Sequence, residues 1–316
     1  MNMKSDSKIY VAGNTGLVGS AIVRNLKSQG YHNILTSPRS HFDLRCQDDV
    51  KKFFRNNEPE YVFLSAAKVG GIGHNKKYPA DFIRDNLNIQ TNIIDFSYMY
   101  GCKKLLFLGS ACIYPKLAPV PIKEEYLMTG QLEETNIGYS LAKLAGYVMC
   151  KKYTEQYGMS TISVMPNNLY GINDNFNVEQ CHVLPSFINK FLNAKENGLQ
   201  EVVCYGDGSP TREFIFSDDL AEALIFLMNT YDNPEVINIG PHREVSIKEL
   251  SEIVAGIIGY TGKIIWDTSQ PNGTPRRALD TSKMDALGWK PKTSLEDGLT
   301  ITIDWFLKNR STYEKV

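Results

Sequence analysis

Two groups of residues stand at spacings that could do chemistry. Tyr139-Ser140-Leu141-Ala142-Lys143 places a phenol and an ammonium four residues apart, on one face if the segment is helical. The lysine charge can lower the proton affinity of the phenol and can hold a ribose. The phenol can then hand a proton to a carbonyl that is receiving hydride. The second group is Gly13-Asn14-Thr15-Gly16-Leu17-Val18-Gly19, between a strand-like and a helix-like run. Glycines there allow a tight turn, let the backbone approach a pyrophosphate and permit close helix–strand packing. The helix start offers free N–H groups to phosphates. Alone, a Y-x-x-x-K pattern is most often a surface helix, and a glycine triplet can be a plain structural turn. Ser110, at the end of a strand-like run, strengthens the pair by supplying a hydroxyl at a sheet edge.

These groups need a scaffold, and the first half of the chain reads as βαβ units. Short apolar runs occur at Lys8–Ala12, Asn33–Thr36, Tyr61–Ala66, Lys104–Gly109 and Thr161–Met165. Segments of helical length lie between them at 17–29, 47–56, 79–100 and 139–156. The spacing predicts a doubly wound parallel α/β (Rossmann) sheet covered on both faces. After about residue 170 the rhythm breaks into Gly-, Asn-, Asp- and Pro-rich stretches, predicting a smaller α/β substrate-binding cap. Asp218-Asp219-Leu220 reads as a helix start and Val236–Gly240 as a further sheet strand. The expected division is 1–169 plus about 214–241 for dinucleotide binding, and about 170–213 plus 242–316 for the substrate.

Composition narrows the partners. The 316 residues carry a net charge of −1 and are 42% hydrophobic and 22% charged, so no basic face awaits nucleic acid or an anionic membrane. Any anion must be met by locally placed cations. No run approaches the roughly 18 apolar residues of a membrane span, and no secretory leader is evident. Cys46, Cys102, Cys112, Cys150, Cys181 and Cys204 form no C-x-x-C pair and no zinc-ligand pattern, so no metal is expected. A cytoplasmic protein with free thiols is expected, most of them core fillers.

Longer phrases carry a more specific signal. The glycine spacing is G-x-x-G-x-x-G, and Ser110, Tyr139 and Lys143 have the order of the short-chain dehydrogenase/reductase triad. Ala66-Ala67-Lys68-Val69-Gly70-Gly71-Ile72, Gly109-Ser110-Ala111-Cys112-Ile113-Tyr114-Pro115 and Met165-Pro166-Asn167-Asn168-Leu169-Tyr170-Gly171 resemble the GDP-L-fucose synthase family. So do Cys181-His182-Val183, Arg212-Glu213-Phe214 and Gly273-Thr274-Pro275-Arg276, in family order from about residue 8 to 290. The resemblance implies an NADPH-dependent enzyme that inverts C3 and C5 of GDP-4-keto-6-deoxy-D-mannose and then reduces its C4 ketone. It implies that Cys112 and His182 are the base and acid of epimerisation. On their own they read as a core thiol and a loop histidine.

The same resemblance implies a cofactor site built from the Gly13–Gly19 turn, Ala66, Ala67, Tyr139 and Lys143, completed by Pro166, Asn168, Leu169 and His182. After the second strand the chain offers Thr36-Ser37-Pro38-Arg39-Ser40 rather than an acidic residue, which suits the 2′-phosphate of NADP through Arg39. Ser110, Asn168, Val183 and Tyr205 are implied to contact the substrate, with Lys190, Arg212 and Arg277 as its cations. The chain departs from the family pattern with Asn14-Thr15 in place of a basic residue, Ala111 in place of serine, Lys190 in place of arginine and Tyr205 in place of tryptophan. The sugar could therefore be a related GDP-4-keto compound, of the colitose or 6-deoxyheptose type, or the reaction could be C4 reduction alone. Loss of Tyr139, Lys143 or Cys112 would have favoured a non-catalytic nucleotide binder; all three are present. The superfamily pairs the helices around 79–100 and 139–156 into a dimeric bundle, so a homodimer is expected.

Overall fold

The computed structural model describes residues 2–37, 42–178, 180–270 and 272–312. Its first lobe is a six-stranded parallel sheet of β1 (Ile9–Ala12), β2 (Ile34–Leu35), β3 (Tyr61–Leu64), β4 (Lys104–Leu108), β5 (Thr161–Pro166) and, from later in the chain, β9 (Val236–Ile239). Their order across the sheet is β2-β1-β3-β4-β5-β9. Except for the edge strand β2, every residue of these strands is buried, as continuous apolar runs require. β2 is only two residues long and half exposed, shorter than its apolar run predicts, because it pairs on one side alone.

Helix α1 (Leu17–Ser28) buries Val18, Ala21, Ile22 and Leu26, a stripe of helical period that packs on α7 (Ser217–Thr230) over one sheet face. The other face is covered by α2 (Gln47–Asn57), α4 (Pro79–Met99) and α5 (Ile137–Tyr157), with α3 (Ile72–Lys77) just before α4. Proline at the first position of α4 lacks only an N–H that no helix would use there. Ile93, Ile94 and Phe96 of α4 point into the sheet core.

The second part of the chain has its own core. It joins β6 (Asn168–Tyr170), β8 (Thr211–Phe216), β10 (Glu244–Ser246) and β12 (Arg276–Arg277) into one sheet, and β7 (Glu201–Tyr205) with β11 (Lys263–Asp267) into another. Helices α6 (Val183–Glu196), α8 (Ile247–Ile258) and α10 (Leu295–Asn309) close this core around Phe191, Leu250 and Leu299. Ser246 caps α8 by accepting the Glu249 N–H at 3.0 Å. The chain crosses between lobes more often than the sequence suggests. Leu279 joins the core under α2, α4 and α5, and Met284, on α9 (Ser282–Ala286), joins Trp289 in the opposite core. Of the thiols, Cys102, Cys150 and Cys204 are buried, but Cys46 is exposed and Cys112 and Cys181 are half-buried, so Cys46 is not a core filler.

The turn between β1 and α1 is held by two of its three glycines. Gly13 has φ +92°, and a Cβ there would stand 2.8 Å from the Ala66 backbone. A Cβ on Gly19 would stand 2.0 Å from the Gly13 carbonyl oxygen. Gly16, by contrast, is extended (φ −82°, ψ 177°), and its Cβ would meet only that oxygen at an ordinary 3.5 Å. Because every atom that a Cβ at residue 19 would strike is backbone, Gly19→Ala should lower the unfolding free energy by about 3 kcal/mol. Gly16→Ala should stay within about 1 kcal/mol of the parent, the difference between N-cap residues. Urea denaturation of the two variants checks this; equal losses would contradict it.

Candidate active site

Parallel strands deliver their following loops to one edge, and the predicted residues collect there. β1 ends at the glycine turn, β3 at Ser65-Ala66-Ala67, β4 at Gly109–Cys112 and β5 at Asn167-Asn168. At the turn, α1 starts without a side-chain cap and without an acidic residue in its first turn, which leaves its positive end for an anion. The free space at Gly16 is what close approach of a pyrophosphate needs, so this turn fits a dinucleotide. Thr15 is exposed, whereas Leu17 and Val18 pack into the core and can offer only backbone. Asn14 Oδ1 accepts the Ser37 N–H at 3.3 Å, tying the turn to the end of β2. Arg39 lies outside the described residues. Ala66 and Ala67 are half-buried beside Gly13, Pro166 is buried, Leu169 half-buried and Asn168 exposed.

Ser110, Cys112 and Tyr139 meet. Ser110 is the N-cap of the single 3₁₀ turn Ala111–Ile113, and its Oγ accepts the Cys112 backbone N–H at 3.3 Å. The Tyr139 phenol lies beside Ser110 and Cys112. Burial pushes that phenol above its ordinary range, the nearby Cys112 sulfur adds to the rise, and the Ser110 hydroxyl offsets part of it. Asn136, just before α5, donates Nδ2–H to Cys112 Sγ at 3.4 Å. Lys143, one helical turn beyond Tyr139, donates to the Leu108 carbonyl at 2.7 Å and lies 5.0 Å from the Phe107 ring centroid. Burial lowers its pKa to about 7. The lysine expected to acidify the phenol is thus turned toward the end of β4, and burial governs both groups.

His182 comes from the other lobe. It is the N-cap residue of α6 but makes no cap bond. The loop before it packs on the loop after β3: the Gly71 N–H donates to the Gln180 carbonyl at 3.0 Å, and a Cβ on Gly71 would stand 2.8 Å from the Cys181 oxygen. His182 is exposed, yet desolvation by the surrounding protein holds its pKa below the usual imidazole value.

The two arginines stand side by side, since Arg212 of β8 and Arg277 of β12 are register partners. Arg212 donates to the Thr211 carbonyl at 2.7 Å. Arg277 donates to the carbonyls of Ala111 (2.5 Å) and Tyr114 (3.3 Å), and its buried Nε has no hydrogen-bond partner. Among the described residues neither guanidinium pairs with a carboxylate. Burial and the charge of Arg277 both lower the pKa of Arg212. Neighbouring Arg276 behaves oppositely, pairing with Glu244 at 2.6 Å on the outer side. Two adjacent cations without a carboxylate partner, one held against the turn that carries Cys112, are able to meet an anion.

Lys190 and Tyr205 form a separate corner. The ammonium donates to the Val203 carbonyl at 2.9 Å and lies 4.7 Å from the Tyr205 ring centroid, and Tyr205 is 68% exposed. The alternation of β7 explains this, with Val202 and Cys204 inward and Tyr205 outward. Val183 opens α6 and packs on the second core. Asn168 Nδ2 donates to the Glu213 carbonyl at 3.0 Å. Sequence reasoning missed Glu213 itself, whose carboxylate accepts from Asn167 Nδ2 and from the Leu279 N–H at 2.9 Å, and which burial raises to about 7. An acid alternating with a functional arginine on an apolar strand was the available signal. Among the described residues no group of three or more His, Cys, Asp or Glu is placed to hold a metal, and no helix is long and apolar enough to cross a membrane.

Comparison with known proteins agrees with this geometry. Residues 9–240 match the model of the NAD dependent epimerase/dehydratase family. GDP-L-fucose synthase 1 of Arabidopsis thaliana is 54% identical over 96% of this chain and 94% of its own. A GDP-L-fucose synthetase of Naegleria fowleri bound to NADP superposes with a TM-score of 0.92 at 31% identity, covering 99% of this chain and 97% of that one. A GDP-6-OMe-4-keto-L-xylo-heptose reductase from C. jejuni gives 0.92 at 37% identity, covering 98% and 100%. With glycine turn, serine–tyrosine–lysine triad and cysteine all at one sheet edge, the chain belongs to the NAD-dependent epimerase/dehydratase family and, within it, to the GDP-L-fucose synthases.

Proposed function

We propose that this chain is a bifunctional epimerase/reductase that converts GDP-4-keto-6-deoxy-D-mannose to GDP-L-fucose. The observation that carries the reading is the meeting of Ser110, Cys112 and Tyr139 beside an arginine pair that has no carboxylate. A C4 ketone acidifies the C–H bonds at C3 and C5. Cys112 removes a proton from one face and His182 returns one from the other. Ser110 and Tyr139 hydrogen-bond the C4 oxygen and stabilise the enolate. Its raised pKa keeps Tyr139 protonated at neutral pH, the state needed to donate to that oxygen during reduction. NADPH, when bound, supplies the hydride to C4.

In this reading the Gly13–Gly19 turn, Ala66, Ala67, Pro166, Asn168 and Leu169 hold the cofactor, and Arg39 meets the 2′-phosphate. Lys143, whose pKa burial lowers to about 7 in the free protein, gains charge when phosphates and ribose hydroxyls arrive. Arg212 and Arg277 hold the GDP diphosphate, while Lys190, Tyr205 and Val183 serve the nucleoside end. The lobes then divide as cofactor domain (1–169 plus about 214–241) and substrate domain, except that Leu279, Met284 and Trp289 return to the cofactor side. Exposed Tyr98, Met99, Leu141 and Tyr157 on α4 and α5 support a homodimer through these helices. Free thiols suit a cytoplasmic setting. Likeness to the C. jejuni heptose reductase favours, as second reading, the same chemistry on a related GDP-4-keto sugar or C4 reduction alone.

Incubated with GDP-4-keto-6-deoxy-D-mannose and NADPH, the protein should yield GDP-L-fucose by NMR; recovery of GDP-6-deoxy-D-talose or GDP-D-rhamnose alone would remove the epimerase half. Tyr139→Phe should slow NADPH oxidation about 100-fold or more while leaving NADPH binding intact. Arg212→Ala should raise KM for the GDP sugar about tenfold and leave the protein no less stable, because it removes a half-buried cation without a carboxylate partner. A clear loss of stability with unchanged KM would assign Arg212 to the scaffold instead.

A further inference from the structure

We propose that Asn136 is the positioning residue of the epimerisation thiol: its amide N–H holds the Cys112 sulfur as thiolate, and Ser140 fixes which end of the amide it presents. The inference deepens the functional reading above and rests on it. Asparagine immediately before a helix is among the best N-caps. Asn136 stands immediately before α5, yet its side chain makes no cap bond. Instead, Nδ2 lies 3.4 Å from Cys112 Sγ and Oδ1 accepts the Ser140 hydroxyl at 3.1 Å. Ser140 is fully buried one turn into the helix. With Oδ1 engaged by a donor, the amide shows the sulfur an N–H.

A thiol is a weak acceptor and a thiolate a strong one, so an N–H in this place favours the charged form. The geometry also ties the thiolate to its partners in the reaction. Asn136 directly precedes α5, whose first turn carries Tyr139 and Ser140 and whose second carries Lys143, so amide, phenol and lock sit on one continuous segment. Burial, and after it the Cys112 sulfur, raises the Tyr139 phenol and keeps it protonated. The other charged groups around the turn are Arg277, bound to the Ala111 carbonyl, and Lys143, directed to Leu108. Glu133, at the start of the short turn before Asn136, is engaged by Lys116 at 3.2 Å and by the Thr135 N–H.

The test follows alkylation of Cys112 by iodoacetamide against pH, read by peptide mass spectrometry, together with solvent deuterium exchange into GDP-4-keto-6-deoxy-D-mannose without cofactor. Asn136→Ala should move the alkylation midpoint up by about one pH unit and slow exchange about tenfold at pH 7. Raising the pH should restore most of that exchange. Asn136→Asp, nearly isosteric but with a carboxylate facing the sulfur, should shift the midpoint further, and Ser140→Ala should fall between. A merely structural role would lower exchange equally at every pH and leave the midpoint in place. That result, or equal midpoints for Asn136→Ala and Asn136→Asp, overturns the proposal. Absence of exchange in the unmodified protein would overturn the epimerase reading instead, with the alkylation profiles still deciding the role of Asn136.

Discussion

Strands that run parallel and are covered on both faces must end at the same edge, and the whole site follows from that constraint. The glycine turn, Ala66-Ala67, Ser110–Cys112 and Asn168 belong to four different strand ends, far apart in sequence. The sheet brings them together because β1, β3, β4 and β5 are neighbours in it. One antiparallel strand among the four would carry its residues to the opposite edge. The second lobe is joined to this edge by backbone, through β6 beside β8 and through the Gly71 contact with the loop before His182. Small residues at these crossings are therefore steric requirements: Gly13, Gly19 and Gly71 leave no room for a Cβ.

The second organising feature is charge without countercharge. A chain with a net charge of −1 has no long-range attraction for GDP or a dinucleotide, so affinity must be local. The two-residue strand β12 shows how this is arranged. Its alternation sends Arg276 outward to Glu244 and Arg277 inward, against the carbonyls of the turn that carries Cys112. Arg212 then lies beside a second guanidinium, an arrangement that costs folding free energy until an anion arrives. The same logic holds within the reaction centre. Burial pushes Tyr139 toward its neutral form and Lys143 toward losing its charge, so the proton-donor state of the phenol is set by the fold before any ligand binds.

Much of the first lobe was legible because buried parallel strands read as uninterrupted apolar runs, and α1 repeats its apolar residues at helical spacing. Edge strand β2 was overestimated, since an apolar run does not reveal how many neighbours a strand has. The second lobe was less legible. Its pairings join β6 to β8 and β8 to β12 across long loops, and a strand of two arginines has no hydrophobic pattern. Returns of Leu279, Met284 and Trp289 to the first-lobe cores are likewise invisible to periodicity. Within the site, Tyr139 and Lys143 announced themselves by spacing, but the turn of Lys143 toward Leu108 did not. Asn136 carried no signal in the sequence, because which atom a side chain satisfies depends on a residue 24 positions away.

The central claim is that one site performs both epimerisation and reduction. Reaction with GDP-4-keto-6-deoxy-D-mannose and NADPH in D2O, followed by NMR of the product, tests it most directly. The account predicts GDP-L-fucose with carbon-bound deuterium at both C3 and C5. With Cys112→Ser, it predicts NADPH oxidation to an unepimerised alcohol free of deuterium at those carbons. A product of the unmodified protein without deuterium at C3 and C5, or a Cys112→Ser variant that still introduces it at the original rate, would contradict the account.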